Sequence, residues 1–308
     1  NFPNREGSKP GEGQISAVAL MDARSIAATA ANGGILTAAS EVLDEPLPTP
    51  EYHFDVSVYD KRVYNGWGHA EPEHELKFGP NIKDWPEQPA LSEDLLLKVV
   101  SYITDPVTTT DELIPSGETS SFRSNPLRLA EFTLSRKDPG YVGRAKAVKA
   151  LDEERKAGTV PAEVQEVYDA LAKAGVQAEP EATNVGSAVF ANKPGDGSAR
   201  EQAASCQRVL GGAANFAREY ATKRYRSNCI NWGMLPFLVE DPSVFALGDY
   251  VFVPGARKAL LDAAPEMTAY AVAADGKVTP FTVRLGDMTA DERQILADGC
   301  LINYYKNN

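Results

Sequence analysis

The sequence predicts an α/β protein, a mixed β-sheet domain with flanking helices over residues 93–308. Three observations point to that class. Leu95–Ile103 is an apolar run of strand length and reads as a buried strand. Pro161–Ala174 sets Val164, Val167, Tyr168 and Leu171 at the 3.6-residue period, a helix that Gly175 stops. Ser187–Phe190 is a short strand that feeds a glycine loop and a capped helix, which places the loop at the carboxyl end of a strand, where α/β sites lie.

The elements follow in order along the chain. Residues 1–36 open with a polar loop and continue in a small-residue helix around Met21–Asn32 that ends at Gly33-Gly34. Its alanine face, Ala23, Ala27, Ala30 and Ala31, suits close packing against a sheet or another helix. Residues 37–92 carry Pro46, Pro48, Pro50, Pro72, Pro80, Pro86 and Pro89, so they read as an extended connection with a short strand near Phe54–Tyr59. After Leu95–Ile103 comes the loop Thr108-Thr109-Thr110-Asp111-Glu112. Later strands are expected at Tyr250–Val253, Ala269–Ala273 and Thr279–Leu285. Thr289 and Glu292 form a capping box before a terminal helix that ends near Gly299. Domain divisions are expected at 1–60, 61–92 and 93–308, with no internal repeat or low-complexity tract.

Composition narrows the function classes. A chain with 43% hydrophobic and 24% charged residues is that of a soluble globular protein. The net charge of −12 argues against a generic nucleic-acid or anionic-membrane surface, which needs clustered cations. Lys223-Arg224-Tyr225-Arg226 is a local basic patch able to bind one anion. No apolar run approaches the ~20 residues needed to cross a bilayer. Cys206, Cys229 and Cys300 are odd in number and dispersed, without metal-ligand spacing, so no metal site is expected within this chain and a reducing, cytoplasmic setting fits best. The opening Asn1-Phe2-Pro3-Asn4-Arg5 reads as the middle of a loop, and the chain is expected to be a fragment.

The richest stretch is Gly195-Asp196-Gly197-Ser198-Ala199-Arg200-Glu201. The two glycines let the main chain approach a ligand, and Ser198 with Glu201 three residues on forms a capping box. The helix it opens presents unpaired N–H groups and a positive dipole end to an anion, and Arg200 adds a planar fork suited to a carboxylate. Taken alone, this pattern is better described as a capped helix with a solvated arginine, because capping boxes are common. Other segments of the chain tip the balance.

Gly195–Arg200, the run Arg226-Ser227-Asn228-Cys229-Ile230-Asn231-Trp232-Gly233-Met234-Leu235-Pro236-Phe237, and Thr109-Thr110-Asp111 with Pro115-Ser116-Gly117 together resemble the swivel domain of the aconitase family. Phe122-Arg123-Ser124 follows at the family distance. Asn1–Arg5 is similar to the segment that closes the family's third domain, and Phe78-Gly79-Pro80-Asn81-Ile82 to the linker into the swivel domain. The resemblance spans nearly the whole chain and is nearest to bacterial hydratases of that family. It implies a barrel-like mixed sheet preceded by a remnant of a three-layer α/β domain (1–60) and a linker (61–92).

It also implies a hydro-lyase acting on a di- or tricarboxylate. Ser198 matches the family's base, made plausible by helix N–H groups and a nearby arginine that stabilise its alkoxide. Arg200, Arg123 and Arg5 match carboxylate-binding arginines, and Asp111 an active-site aspartate. The implied cofactor is a [4Fe–4S] cluster in the full-length protein, held by ligands outside this chain, which makes the missing cluster-bearing amino-terminal domains a partner and the isolated chain inactive. Two positions depart from the pattern. Ala199 stands where the family commonly has a second substrate-contacting serine, and Glu112 where it often has histidine; a carboxylate there is expected to repel an anionic substrate or shift which one fits. The readings of another class are a catalytically silent binding module, or the small subunit of a two-subunit isomerase.

Overall fold

The computed structural model describes residues 20–42, 51–60, 62, 65–75 and 77–307, and these divide into a unit ending at Lys77 and one running from Phe78 onward. Arg5 and the rest of Asn1–Arg5 lie outside the described residues.

In the first unit, helix α1 (Ala23–Ala31) is capped by Asp22, whose carboxylate accepts from the N–H groups of Arg24 and Ser25 at 3.0 and 3.3 Å. The chain returns along α1 through a Thr29–Thr37 clasp, with the Thr37 N–H donating to Thr29 Oγ1 at 3.0 Å. That return buries Ala28 and leaves Ala23, Ala27, Ala30 and Ala31 exposed, so the expected alanine packing face is not the one used. The strand expected near Phe54–Tyr59 is also absent. Asp55 accepts from the Ser57 N–H at 2.9 Å and starts a single helical turn, α2 (Ser57–Asp60), because a side chain that caps locally outcompetes an unpaired strand.

The second unit holds a seven-stranded sheet in the order β6-β5-β3-β1-β7-β8-β9. Strand β1 (Asp94–Ile103) pairs in parallel with β3 (Thr183–Ala191), β3 with β5 (Gly212–Ala217), and β5 with β6 (Leu235–Leu238). On the other side of β1, the strands β7 (Tyr250–Val253), β8 (Met267–Val272) and β9 (Val278–Val283) are antiparallel. The two edges then meet: Leu238 and Arg284 exchange main-chain hydrogen bonds of 2.6 and 3.0 Å, curling the sheet into a barrel-like ring. The expected mixed α/β architecture with a barrel-like core is what the chain forms.

Both faces of β1 are covered, which is why it reads as a continuous apolar run. Leu96 and Val100 join a core with α5 (Tyr141–Lys156), α6 (Ala162–Lys173), α7 (Arg200–Val209) and α8 (Lys223–Asn231). Leu95, Leu97 and Val99 face a second core with Phe190, Phe216 and Phe237, closed by α9 (Ala256–Leu261) and α10 (Ala290–Asp298). Helix α10 begins at the expected Thr289/Glu292 box but is not terminal, since α11 (Leu301–Asn307) follows it.

Residues 78–92 form no helix or strand and are pinned along the second unit. Asn81 Nδ2 donates to the Ser121 carbonyl at 2.6 Å, the Lys83 N–H to that of Ser124 at 3.0 Å, and the Leu91 N–H to that of Ala297 at 3.1 Å. No helix among the described residues is long and apolar enough to cross a membrane.

Candidate active site

Because β1, β3, β5 and β6 run parallel, the loops leaving β1, β3 and β5 emerge together at one edge of the sheet. A short second sheet ties two of them. Strand β2 (Thr108–Thr109) pairs in parallel with β4 (Pro194–Asp196), Thr109 opposite Asp196. This sets the one-turn helix α3 (Thr110–Leu113), which carries Asp111, beside the Gly195–Ser198 loop.

Glycine is required at both loop positions. Gly195 has φ +97°, and a Cβ there would lie 2.4 Å from the ring and Cβ of Tyr225. Gly197 has φ +140°, and its Cβ would lie 2.2 Å from Thr110 Oγ1. The loop is therefore squeezed between α3 and α8. Thr222 Oγ1 also donates to the Gly195 carbonyl at 3.3 Å and accepts the Tyr225 N–H at 3.1 Å. Tyr225 is fully buried, its hydroxyl accepting from Gln207 Nε2 and Asn215 Nδ2 at 3.2 Å each. In the sequence Thr110 and Tyr225 figured only as members of longer motifs and Thr222 not at all; a threonine ahead of a helix is a readable cap, but its grip on a loop 27 residues earlier is not.

Helix α7 starts one residue later than the Ser198/Glu201 box implies. Ala199 occupies the cap position, so Glu201 stands at the second helical residue and its carboxylate instead accepts from Trp232 Nε1 at 3.0 Å. A complete capping box does adjoin the loop, but it belongs to Thr109 and Glu112 at the start of α3. With alanine at the cap of α7, no cap side chain closes its first N–H groups. Ser198 is exposed, Ala199 half-buried, and Arg200 is the buried first residue of α7.

Asp111 is exposed, and its carboxylate pairs with Arg136 Nη1 at 2.7 Å, while the other arm of Arg136 binds Glu118. Glu112 is not an open charge. It accepts from the Thr109 N–H at 2.7 Å and from Lys137 Nζ at 3.1 Å, and Lys137 also holds Asp105 at 2.8 Å. Burial opposes its ionisation, yet the Thr109 and Lys137 contacts outweigh burial and leave its carboxyl below the usual range. The repulsion expected from glutamate at this position is thus met by a lysine salt bridge.

Arg123 lies exposed on the turn leading into α4 (Pro126–Ala130), linked to the loop through the packing of α4 on α7. The basic patch at 223–226 splits up: Lys223 and Arg224 are exposed, Tyr225 is buried, and Arg226 donates to the carbonyls of Leu285 and Asp287 at 2.7 and 2.9 Å.

The described cysteines do not suit an iron–sulfur cluster. All three are free and buried; burial pushes the Cys229 thiol up to about 12 and Cys206 higher still, whereas cluster ligands are thiolates. No three His, Cys, Asp or Glu side chains converge among the described residues.

Fold and site together define a barrel-like α/β unit with loops gathered where its parallel strands end. No protein-family model matches the sequence, and no curated protein is significantly similar to it. Among solved structures, the chain is similar to 3-isopropylmalate dehydratase from Methanocaldococcus jannaschii, at 20% identity over 70% of this chain and 94% of that one, with a TM-score of 0.41.

Proposed function

We propose that the second unit is the base-bearing half of an aconitase-type hydro-lyase acting on a di- or tricarboxylate. The observation that carries this is the β2–β4 pairing, which sets the Asp111 turn against the Gly195–Arg200 loop at the carboxyl ends of the parallel strands. The ordered motifs that resemble the aconitase swivel domain support the same reading.

In this reading Ser198 Oγ removes the proton from the carbon next to a substrate carboxylate. The positive dipole end of α7 and the Arg200 guanidinium two residues on favour the anionic serine. Arg200 and Arg123, with Arg5, bind carboxylates, and Asp111 acts in the polar network through Arg136. The cluster that the resemblance implies does not fit this chain's described cysteines and belongs to a cluster-bearing partner portion.

The test is anaerobic expression of the complete parent reading frame with iron and sulfide, followed by ultraviolet detection of unsaturated carboxylate formation. Ser198→Ala is expected to lower kcat by about 10²–10⁴-fold with KM little changed. Unchanged turnover would return Ser198 to a loop residue. Ala199, which lacks the second hydroxyl, favours one other reading, a binding module without turnover. That module would bind the carboxylate equally well in wild type and Ser198→Ala.

A further inference from the structure

At the opposite end of the sheet, where β1, β3 and β5 begin, the structure has a cleft of 270 Å³, about nine times a water molecule's share of the liquid. The strap Pro86–Pro89, the last turns of α5 and α7, and Gly299 after α10 form its walls. None of the candidate active-site residues lines it.

Arg208, in the last turn of α7, is the unusual group on this wall. Among the described residues its guanidinium bonds to main-chain carbonyls alone: Nη1 donates to Gly212, and Nη2 to Pro89 and Gly299, each at 3.2 Å. Its Nε is buried with no hydrogen-bond partner, and no carboxylate lies within ion-pair distance among the described residues. Burial lowers its pKa to about 10, outweighing the opposite pull of the nearby Asp152 carboxylate. Asp152, on the same wall, is spoken for by Arg155 and Lys156 at 2.9 and 2.5 Å and by the Val185 N–H at 3.1 Å. Lys149 brings a second cation, which donates to the Val209 carbonyl at 3.3 Å. A half-buried cation that pairs with no carboxylate among the described residues and keeps one buried N–H unsatisfied, on the wall of an open cleft, is suited to an anion.

The rest of the lining narrows the anion. Leu91, Leu95, Val185 and Leu296 offer an aliphatic floor, while Glu87 and Glu153 add negative charge that opposes phosphate or a tricarboxylate. We propose that this cleft binds a small monocarboxylate with an aliphatic body, its carboxylate meeting Arg208 and Lys149 and its chain lying on the leucines. The site is independent of the hydro-lyase reading. Helix α7 nevertheless connects the two, with Arg200 at its first residue and Arg208 in its last turn, about 12 Å along the axis.

Isothermal titration of the whole chain with 4-methylpentanoate tests this. Saturable one-to-one binding is expected, with a Kd of about 0.1–1 mM for a ligand of this size. Arg208→Gln and Lys149→Ala should each weaken it by about tenfold or more, because each removes a charge-assisted contact. Ser198→Ala should bind as wild type, which separates this cleft from the candidate active site. Absence of saturation up to about 20 mM, tighter binding of phosphate or citrate, or unaltered binding by Lys149→Ala would each overturn the proposal. Lys149 is only half-buried, so its variant remains decisive if Arg208→Gln does not fold.

Discussion

Replacing Gly195 with alanine probes the geometry of the loop most directly. At φ +97° an L-residue is disfavoured by about 1–2 kcal/mol. The new methyl would also sit 2.4 Å from three carbons of Tyr225, well inside van der Waals contact. Tyr225 has little room to yield, since its ring is fully buried and its hydroxyl is tied to Gln207 and Asn215. Overpacking of this kind costs about 1–3 kcal/mol. Alanine recovers about 0.4–1 kcal/mol by restricting the unfolded chain. The net expectation is a loss of about 2–4 kcal/mol, which at an m-value of about 2–3 kcal/mol/M moves the urea midpoint down by about 1 M. The assay is equilibrium urea unfolding followed by far-ultraviolet circular dichroism. The double variant Gly195→Ala/Tyr225→Ala should be less destabilised than the sum of the two single variants, because removing the ring removes the clash. A shift below about 0.5 kcal/mol for Gly195→Ala, or strict additivity in the double variant, would refute the clamp.

Three further outcomes follow from the contacts. Asp152→Ala should cost about 3 kcal/mol in the same unfolding assay, because it strips Arg155 of its carboxylate in a setting where both side chains are nearly buried; a loss under about 1 kcal/mol would show the pair to be marginal. Glu112 has a depressed pKa in the folded chain, so its contribution should be complete above its unfolded value of about 4.3 and disappear as pH falls through the lower folded value. The stability gap between wild type and Glu112→Gln should therefore close in acid, and a gap unchanged from neutral pH to about pH 3 would contradict the Thr109 and Lys137 contacts. Finally, the three buried thiols should resist a thiol-specific disulfide reagent at neutral pH in the native chain and all react in urea; rapid native reaction would mean that burial is incomplete.

Where packing and local chemistry agree, the sequence was a reliable guide. Leu95–Ile103 and Tyr250–Val253 read as strands because each is an apolar stretch covered by the core, and both form. The helix stopped by Gly175 and the one capped by Thr289 and Glu292 were legible because stop and cap signals act within a turn of the chain. Strand β5, Gly-Ala-Ala-Asn-Phe-Ala, and helix α5, with only Tyr141, Ala145, Val148 and Asp152 buried, were not. Small residues and a charged surface carry too little periodicity to separate helix, strand and loop.

For the candidate site, the sequence by itself determined the residue types: two glycines, a serine and an arginine at the mouth of a helix, and a threonine-aspartate turn earlier in the chain. Only the tertiary structure decided how they are held. Pairing of β2 with β4, the Tyr225 and Thr110 clamps, the lysine that answers Glu112, and the one-residue delay of α7 all join segments distant in sequence or hinge on the exposure of one side chain. The physical reason lies in range. Caps, turns and periodicity are set by neighbours a few residues away, whereas register and close approach between loops are set by pairing of segments far apart in the sequence, as where β2 meets β4.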